Sequence, residues 1–224
     1  MLYLLMMAPA ILLALWAQGR VQWAYSSASQ VPAPLSGAAA ARYVLDQAGL
    51  NSVGIEQIPG QLTDHYDPSA KVLRLSPEVF RGQSMASVGI AAHEAGHAIQ
   101  DAVGYAPLVI RNAAVPVANF GGGISTTLLF LGVILQAKFL LMIGIALFST
   151  VVFFQLVNLP VEFDASNRAK RQLVELGIVN RDGMQHVNSV LNAAAWTYVA
   201  GTLQSVMTLL YYVMLFSGGR RSDD

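Results

Sequence analysis

Long runs without a charged side chain constrain this chain more than any other feature of its sequence. A helix of about 20 apolar residues crosses a bilayer, and the charge-free runs long enough to do so are Leu2–Gly19, Asn112–Ala137, Phe139–Val161 and Val187–Gly219. Within them, the membrane-spanning cores are predicted at Leu2–Ala17, Val115–Gln136, Phe139–Val157 and Ala195–Phe216. Only 12% of the residues are charged, whereas soluble domains have about 25%. The sequence therefore predicts a mainly α integral membrane protein with four transmembrane helices.

The balance of charges and the lack of cysteine exclude several classes of function. The 13 basic residues match the 13 acidic ones, so no basic field points to a nucleic-acid partner. Without cysteine, neither disulfides nor thiolate metal sites can form. The span cores contain no Asp, Glu, Lys, Arg or His. Transporters and channels keep such residues within their spans, so this absence argues against transport.

The region between the first two spans is predicted to fold next to the membrane. The first charged side chain, Arg20, follows the first apolar run, which favours a retained anchor over a cleaved signal peptide. The stretch "VQWAYSSASQVPAP" then predicts an extended connector. Ser36 and Gly49 can bound a helix, and "SVGIEQIPG", "QLTDHYD" and "AKVLRLS" predict a small antiparallel β meander. Another helix is predicted from about Ser84 to Val103.

The second half of the chain is predicted to be helical. Lys138 alone separates the second and third spans, which predicts a tight helical hairpin. Pro160 suits the first turn of a separate helix that ends near Gly177, and a last helix is predicted to start near Asp182 and continue into the fourth span. The expected organisation is a first transmembrane helix at 1–19, a membrane-proximal catalytic segment at 20–111, a transmembrane hairpin at 112–158, a second catalytic segment at 159–192, a fourth transmembrane helix at 193–217 and a polar tail at 218–224.

The stretch "AAHEAGHAIQ" contains two histidines four residues apart, His93 and His97. Residues at this spacing share one face of a helix, so both imidazoles can bind one cation. Glu94 lies beside them and can deprotonate a zinc-bound water, whose pKa falls to about 7. The alternative is a helix face with polar residues packed near the membrane surface. Small neighbours such as Ala95 and Gly96 leave room for a second helix or a substrate, which favours the metal site.

A catalytic zinc ion needs a third protein ligand. The predicted spans place residues 20–111 and 160–186 on one side of the membrane. Besides Glu94, the acidic residues available there are Glu162, Asp164, Glu175 and Asp182 in the second segment and Asp46, Glu56, Asp64, Asp67, Glu78 and Asp101 in the first. Glu162 is the best candidate because it follows the third span directly, on the first turn of its predicted helix. It could instead be a first-turn acid that suits the helix dipole.

Separated stretches of the sequence resemble the YugP-like membrane zinc metallopeptidases: "AAHEAGHAIQ", "LTDHYDP…VLRLSPEV", "VPVANFG" and "LPVEFDAS". The resemblance covers nearly the whole chain after the first span. It implies a neutral zinc peptidase of the membrane with a zincin-like helix and one Zn2+ per chain. In that pattern His93, His97 and Glu162 are the ligands and Glu94 is the catalytic base.

The order of these features is also similar to the HtpX and CAAX-prenyl peptidase group. In that group the H-E-x-x-H motif precedes two spans and a helix with a glutamate ligand, and an acid four residues after this ligand often supports a histidine. Ser166 occupies that position here. Because the outer partners of metal-bound histidines orient the rings, either the Ser166 hydroxyl or the Asp164 carboxylate is expected to serve, and the sequence leaves both open.

Two further histidines are candidates for a role in catalysis. His65 lies in "TDHYDP", where an edge strand could pair with an extended peptide while His65 or Tyr66 steadies the oxyanion. Ordinary turn chemistry is the alternative for this stretch. His186 could donate to a tetrahedral intermediate, although a position at the membrane interface is favoured.

The sequence as a whole favours a membrane-embedded zinc endopeptidase that cuts membrane or membrane-proximal proteins. The alternative is a catalytically silent scaffold or adaptor that retains a zinc site. The expected partners are the lipid bilayer, a peptide or membrane-protein substrate, and an oligomer or membrane partner protein. Near the span ends, six Lys and Arg lie on the side of the site and three on the other. This bias predicts a cytoplasmic site with both termini outside.

Overall fold

The computed structural model describes residues 2–218, apart from the side chains of Leu2 and Phe120. Within this range the chain forms helices and short strands in the order α1 (Leu2–Ser29), α2 (Gly37–Gln47), β1 (Gly54–Gln57), β2 (His65–Asp67), β3 (Val72–Leu75), α3 (Pro77–Arg81), α4 (Met85–Ala102), α5 (Ala106–Ile134), α6 (Lys138–Glu175) and α7 (Arg181–Gly218). The polar tail predicted at 218–224 lies, after Gly218, outside the described residues.

The long helices confirm a mainly α chain with three or four candidate membrane spans. α1, α6 and α7 each contain a stretch long and apolar enough to cross a bilayer. In α5, the parts Ala106–Asn119 and Gly121–Ile134 meet at 45° and pass the same test only together. The predicted number of four spans therefore holds if the bent α5 is one span.

The predicted antiparallel meander is wrong, because the small sheet is mixed. Its strand order is β1-β3-β2. β3 pairs in parallel with β1 and antiparallel with β2. The reason is burial: Val72, Leu73 and Leu75 are the buried residues of β3, so this strand occupies the centre and β1 and β2 take the edges.

The two predicted helix boundaries near the membrane are also wrong. α1 continues to Ser29, where an extended connector was expected, because Ala24 and Ala28 pack into the hydrophobic core. Pro160 lies inside α6 rather than at the start of a separate helix. A proline inside a helix removes one hydrogen bond, and the buried face of Val161, Ala165 and neighbouring residues stabilises the helix beyond it.

The chain divides into two compact units. The first consists of the described residues up to Trp16, from Val109 to Leu159 and from Thr197 onward. It contains the predicted hairpin between α5 and α6. A Cβ added to Gly132 would lie 2.8 Å from Leu141 Cγ, and one added to Gly144 would lie 2.9 Å from Leu129 Cγ. The hairpin helices are therefore in close contact through small residues.

The second unit consists of residues Ala17–Leu108 and Pro160–Trp196. Its core is built around α4, whose buried residues include Ala91, Ala92 and Ala95. The predicted Ser36 cap is confirmed, because Ser36 Oγ accepts from the Ala39 amide in α2. Ser84, where α4 was predicted to begin, also caps its helix: its Oγ accepts from the Ser87 amide. The Ser84 cap fixes where α4 begins, and the buried small residues of α4 define the face that points into the unit.

Candidate metal centre

α4 presents His93 and His97 side by side. The ring centroids are 4.8 Å apart and the ring planes meet at 83°. His97 is buried and His93 is partly buried. The helical spacing predicted from the sequence thus places both imidazoles at one point on the inner face of α4.

α6 brings the carboxylate of Glu162 to the same point. Its Oε2 lies 3.3 Å from His93 Nε2 and 3.7 Å from His97 Nε2. One ligand atom from each of the three residues lies within 4.8 Å of the others. A Cβ on Gly96 would lie only 2.6 Å from the Ala165 carbonyl oxygen. The small residues of α4 therefore leave room for a second helix, and that helix is the one carrying Glu162.

The donor set fits a zinc ion. Among the described residues, no hydrogen-bond donor satisfies the buried Oε2 of Glu162. Two imidazoles and one carboxylate are a common ligand set of catalytic zinc, with bonds of about 2.0–2.2 Å. Tetrahedral bonds of that length separate neighbouring ligand atoms by about 3.3–3.6 Å, close to the observed separations from Glu162. A single divalent cation would satisfy this buried oxygen and both ring nitrogens.

Ser166 supports His93 from the next turn of α6. The Ser166 hydroxyl oxygen lies 3.1 Å from His93 Nδ1. When this nitrogen donates its hydrogen to the hydroxyl, Nε2 keeps the lone pair that a metal needs. Of the two residues that the sequence left open, Ser166 is thus the one in direct contact with His93.

Asp164 reaches the other histidine only through Gln100. The amide Nε2 of Gln100 lies 2.9 Å from Asp164 Oδ2, and its Oε1 lies 3.0 Å from His97 Nδ1. Asp164 also accepts from Arg168 Nε at 2.5 Å, and the Arg168 guanidinium lies 5.7 Å from the centre of the Tyr105 ring. The two residues considered for one supporting role therefore contact different histidines, Ser166 directly and Asp164 through Gln100.

Gln100 was not among the site residues predicted from the sequence. The signal available was its position three residues after His97, which on a helix allows contact. Its partners on α6 lie more than sixty residues further along the chain, and no local pattern indicates them.

Glu94 is buried on the same helix, with 8% of its surface exposed. Burial by itself lowers the pKa of His97, but the neighbouring carboxylates of Glu162 and Glu94 outweigh it and raise this pKa. The cluster therefore carries negative charge around its imidazoles, which favours the binding of a cation.

The residues of "TDHYDP" lie on and beside the edge strand β2. Tyr66 donates its hydroxyl hydrogen to Asp101 Oδ2 at 2.7 Å, which joins β2 to the last turn of α4. Burial and the Asp101 carboxylate raise the pKa of the Tyr66 phenol, so it remains a donor at neutral pH. His65 is exposed and its Nδ1 lies 2.8 Å from the Thr63 carbonyl oxygen.

The remaining residues of this stretch have structural partners. Asp64 accepts hydrogen bonds from the Ser76 amide and hydroxyl, and Asp67 pairs with Arg74.

His186 lies half-buried near the start of α7. Neither His65 nor His186 belongs to the cluster of His93, His97 and Glu162.

Comparison with known proteins shows the family to which this chain belongs. The family model described as "Putative neutral zinc metallopeptidase" matches residues 3–217, and the chain belongs to this family. A curated relative, "Putative membrane protease YugP" of Bacillus subtilis (strain 168), is 44% identical over 222 residues, which are 98% of this chain and 99% of the relative. No solved structure matches the chain. The family and the long apolar helices together define a membrane protein of the zinc metallopeptidase class.

Proposed function

We propose that this chain is a membrane-embedded, gluzincin-like zinc endopeptidase with His93, His97 and Glu162 as ligands. The observation that carries the proposal is the convergence of these three side chains, from α4 and α6, around the buried Oε2 of Glu162, which has no hydrogen-bond partner among the described residues. The buried Glu94 on the same helix adds an acid–base group beside the ligands.

In the proposed reaction, a bound zinc ion and Glu94 have different roles. Zinc, when bound, polarises the substrate carbonyl and lowers the pKa of a water molecule to about 7. The Glu94 carboxylate accepts the proton that this water loses as its oxygen adds to the carbonyl carbon. Glu94 then delivers the proton to the departing amine nitrogen as the C–N bond breaks. Glu94 is ionised again at the end, and one water molecule has been consumed.

The substrate is proposed to be an extended segment of a membrane or membrane-proximal protein. The support is β2, an edge strand paired with β3 and joined to α4 through Tyr66 and Asp101. An edge strand can bind an extended peptide through main-chain hydrogen bonds. The cytoplasmic position of the site, with both termini on the opposite side, rests on the distribution of Lys and Arg and is part of the same proposal.

Replacing Glu94 tests the proposal. The wild type and Glu94→Gln are purified in detergent, their bound zinc is measured, and cleavage of casein is followed. Zinc is expected in both proteins, with cleavage at least about 10²-fold slower in the variant, because general acid–base catalysis contributes about 10²–10⁴-fold. Glu175→Gln, at the exposed end of α6, is the matched control and should cleave like the wild type.

The alternative outcomes separate the competing functions. Equal cleavage by the wild type and Glu94→Gln would show that Glu94 has no role in catalysis. A wild type that binds zinc but cleaves neither casein nor membrane-protein substrates would indicate the silent scaffold instead.

A further inference from the structure

Gln100 connects the two helices that carry the candidate zinc ligands. It lies on α4 and is completely buried. Its Nε2 donates to the Val161 carbonyl oxygen at 2.8 Å and to Asp164 Oδ2 at 2.9 Å, both on α6. On its other side, Oε1 lies 3.0 Å from His97 Nδ1. One side chain thus contacts a ligand histidine and the residue directly before Glu162.

The partners of Gln100 determine which way its amide group faces. A carbonyl oxygen and a carboxylate oxygen can only accept hydrogen bonds, so both α6 partners must face the amide nitrogen. Oε1 is then left for His97, and it too can only accept. The hydrogen between them therefore belongs to Nδ1 of His97, which leaves the lone pair on Nε2, the nitrogen nearest Glu162.

We propose that Gln100 is a positioning residue for the zinc site: it fixes the tautomer and ring orientation of His97 and sets the position of Val161 and Glu162 relative to α4. The inference rests on the proposed zinc site but not on peptidase activity. Gln100 satisfies two acceptors and one donor at once. Outer partners of this kind typically contribute 10–100-fold to metal affinity.

The chemistry of the three contacts makes the role specific to an amide. Methionine fills a similar volume but offers no comparable hydrogen bonds. Glutamate can accept from His97, as carboxylates commonly do in zinc sites, but it would turn its second oxygen toward the Val161 carbonyl and the Asp164 carboxylate. A carboxylate at position 100 is thus predicted to weaken zinc binding. It would not do so if the site needed only an acceptor for His97.

The test is the zinc dissociation constant, measured by chelator competition in detergent. Gln100→Met and Gln100→Glu are each expected to weaken zinc binding by about 10–100-fold. Gln172→Met and Gln172→Glu are the matched controls, because Gln172 is a half-buried glutamine of α6 that contacts Glu175. These controls are expected to bind zinc like the wild type.

A compensating exchange separates positioning from general damage to the fold. In Gln100→Glu combined with Asp164→Asn, the new carboxylate accepts from His97 and from the new amide. Most of the affinity lost in Gln100→Glu is expected to return in this double variant. Asp164→Asn alone should show no gain in zinc affinity over the wild type, because Gln100 is intact there. Thermal unfolding of the metal-free proteins checks that each is folded. If Gln100→Met does not fold, the comparison of Gln100→Glu with and without Asp164→Asn decides.

Wild-type affinity in the folded Gln100 variants would overturn the inference, as would equal losses in the Gln172 controls or no recovery in the double variant. A wild type that binds zinc without cleaving peptides would contradict the proposed peptidase but leave the Gln100 inference standing. A wild type that binds no zinc would overturn both.

Discussion

The Ser166 hydroxyl oxygen lies 3.1 Å from His93 Nδ1, one helical turn after Glu162 on α6. α6 therefore carries a candidate ligand and also the group that orients a histidine of α4. Any movement of α6 therefore displaces both groups at once. Substitutions at position 162 and at position 166 test them separately.

Ser166→Ala is expected to weaken zinc binding by about 10–100-fold. The change removes the acceptor of the His93 Nδ1 hydrogen, and an unpaired buried donor costs about 1–3 kcal/mol. Chelator competition measures the effect, and Asn167→Ala on the exposed side of the same helix is the control. Full affinity in Ser166→Ala would show that His93 needs no support from α6.

Ser166→Asp is expected to retain zinc binding. An aspartate places a carboxylate, a common partner of metal-bound histidine, at the position of the Ser166 hydroxyl. The same affinity measurement applies. If Ser166→Asp weakens binding as strongly as Ser166→Ala, the space around His93 admits only the smaller hydroxyl.

Glu162→Ala is expected to abolish stable zinc binding in the purified protein. The change leaves two imidazoles, one ligand fewer than catalytic zinc sites use. Bound zinc is measured after desalting, with Glu175→Ala, an exposed acid of α6, as the control. A variant that keeps the metal at full affinity would place the third ligand elsewhere.

Gly96→Ala is expected to destabilise the protein by about 1–3 kcal/mol. The new Cβ would lie 2.6 Å from the Ala165 carbonyl oxygen, so α4 and α6 must move apart, and this outweighs the gain of about 1 kcal/mol in helix propensity. At about 2–4 °C per kcal/mol, the midpoint of thermal unfolding should fall measurably.

The control for Gly96 is Gly19→Ala in α1, where no atom lies within 4 Å of the added Cβ. It is expected to be neutral or stabilising. A Gly96→Ala protein as stable as this control would mean that the two helices adjust without cost.

How much of this protein follows from its sequence depends on the distance between interacting residues. The helix α4, its start near Ser84 and the spacing of His93 and His97 follow from local patterns, and the hairpin follows from Lys138 between two apolar runs. The central place of β3 depends on which strand the core buries. The passage of α6 through Pro160 depends on packing that offsets a lost hydrogen bond. The contacts of Gln100 with Val161 and Asp164 arise only when the second unit is assembled.

The close approach of Gly96 to Ala165 sets the spacing of α4 and α6 at the proposed metal site. Because the Gly96 backbone touches α6, the spacing of the helices is fixed by main-chain atoms and not by adjustable side chains. The separations of 3.3 and 3.7 Å between the histidine nitrogens and Glu162 Oε2 suit bonds of about 2.0–2.2 Å. Calcium requires bonds of about 2.3–2.6 Å and six to eight oxygen ligands. If zinc binds as proposed, Gly96 is expected to favour an ion of that size through the spacing of α4 and α6, without touching the ion itself.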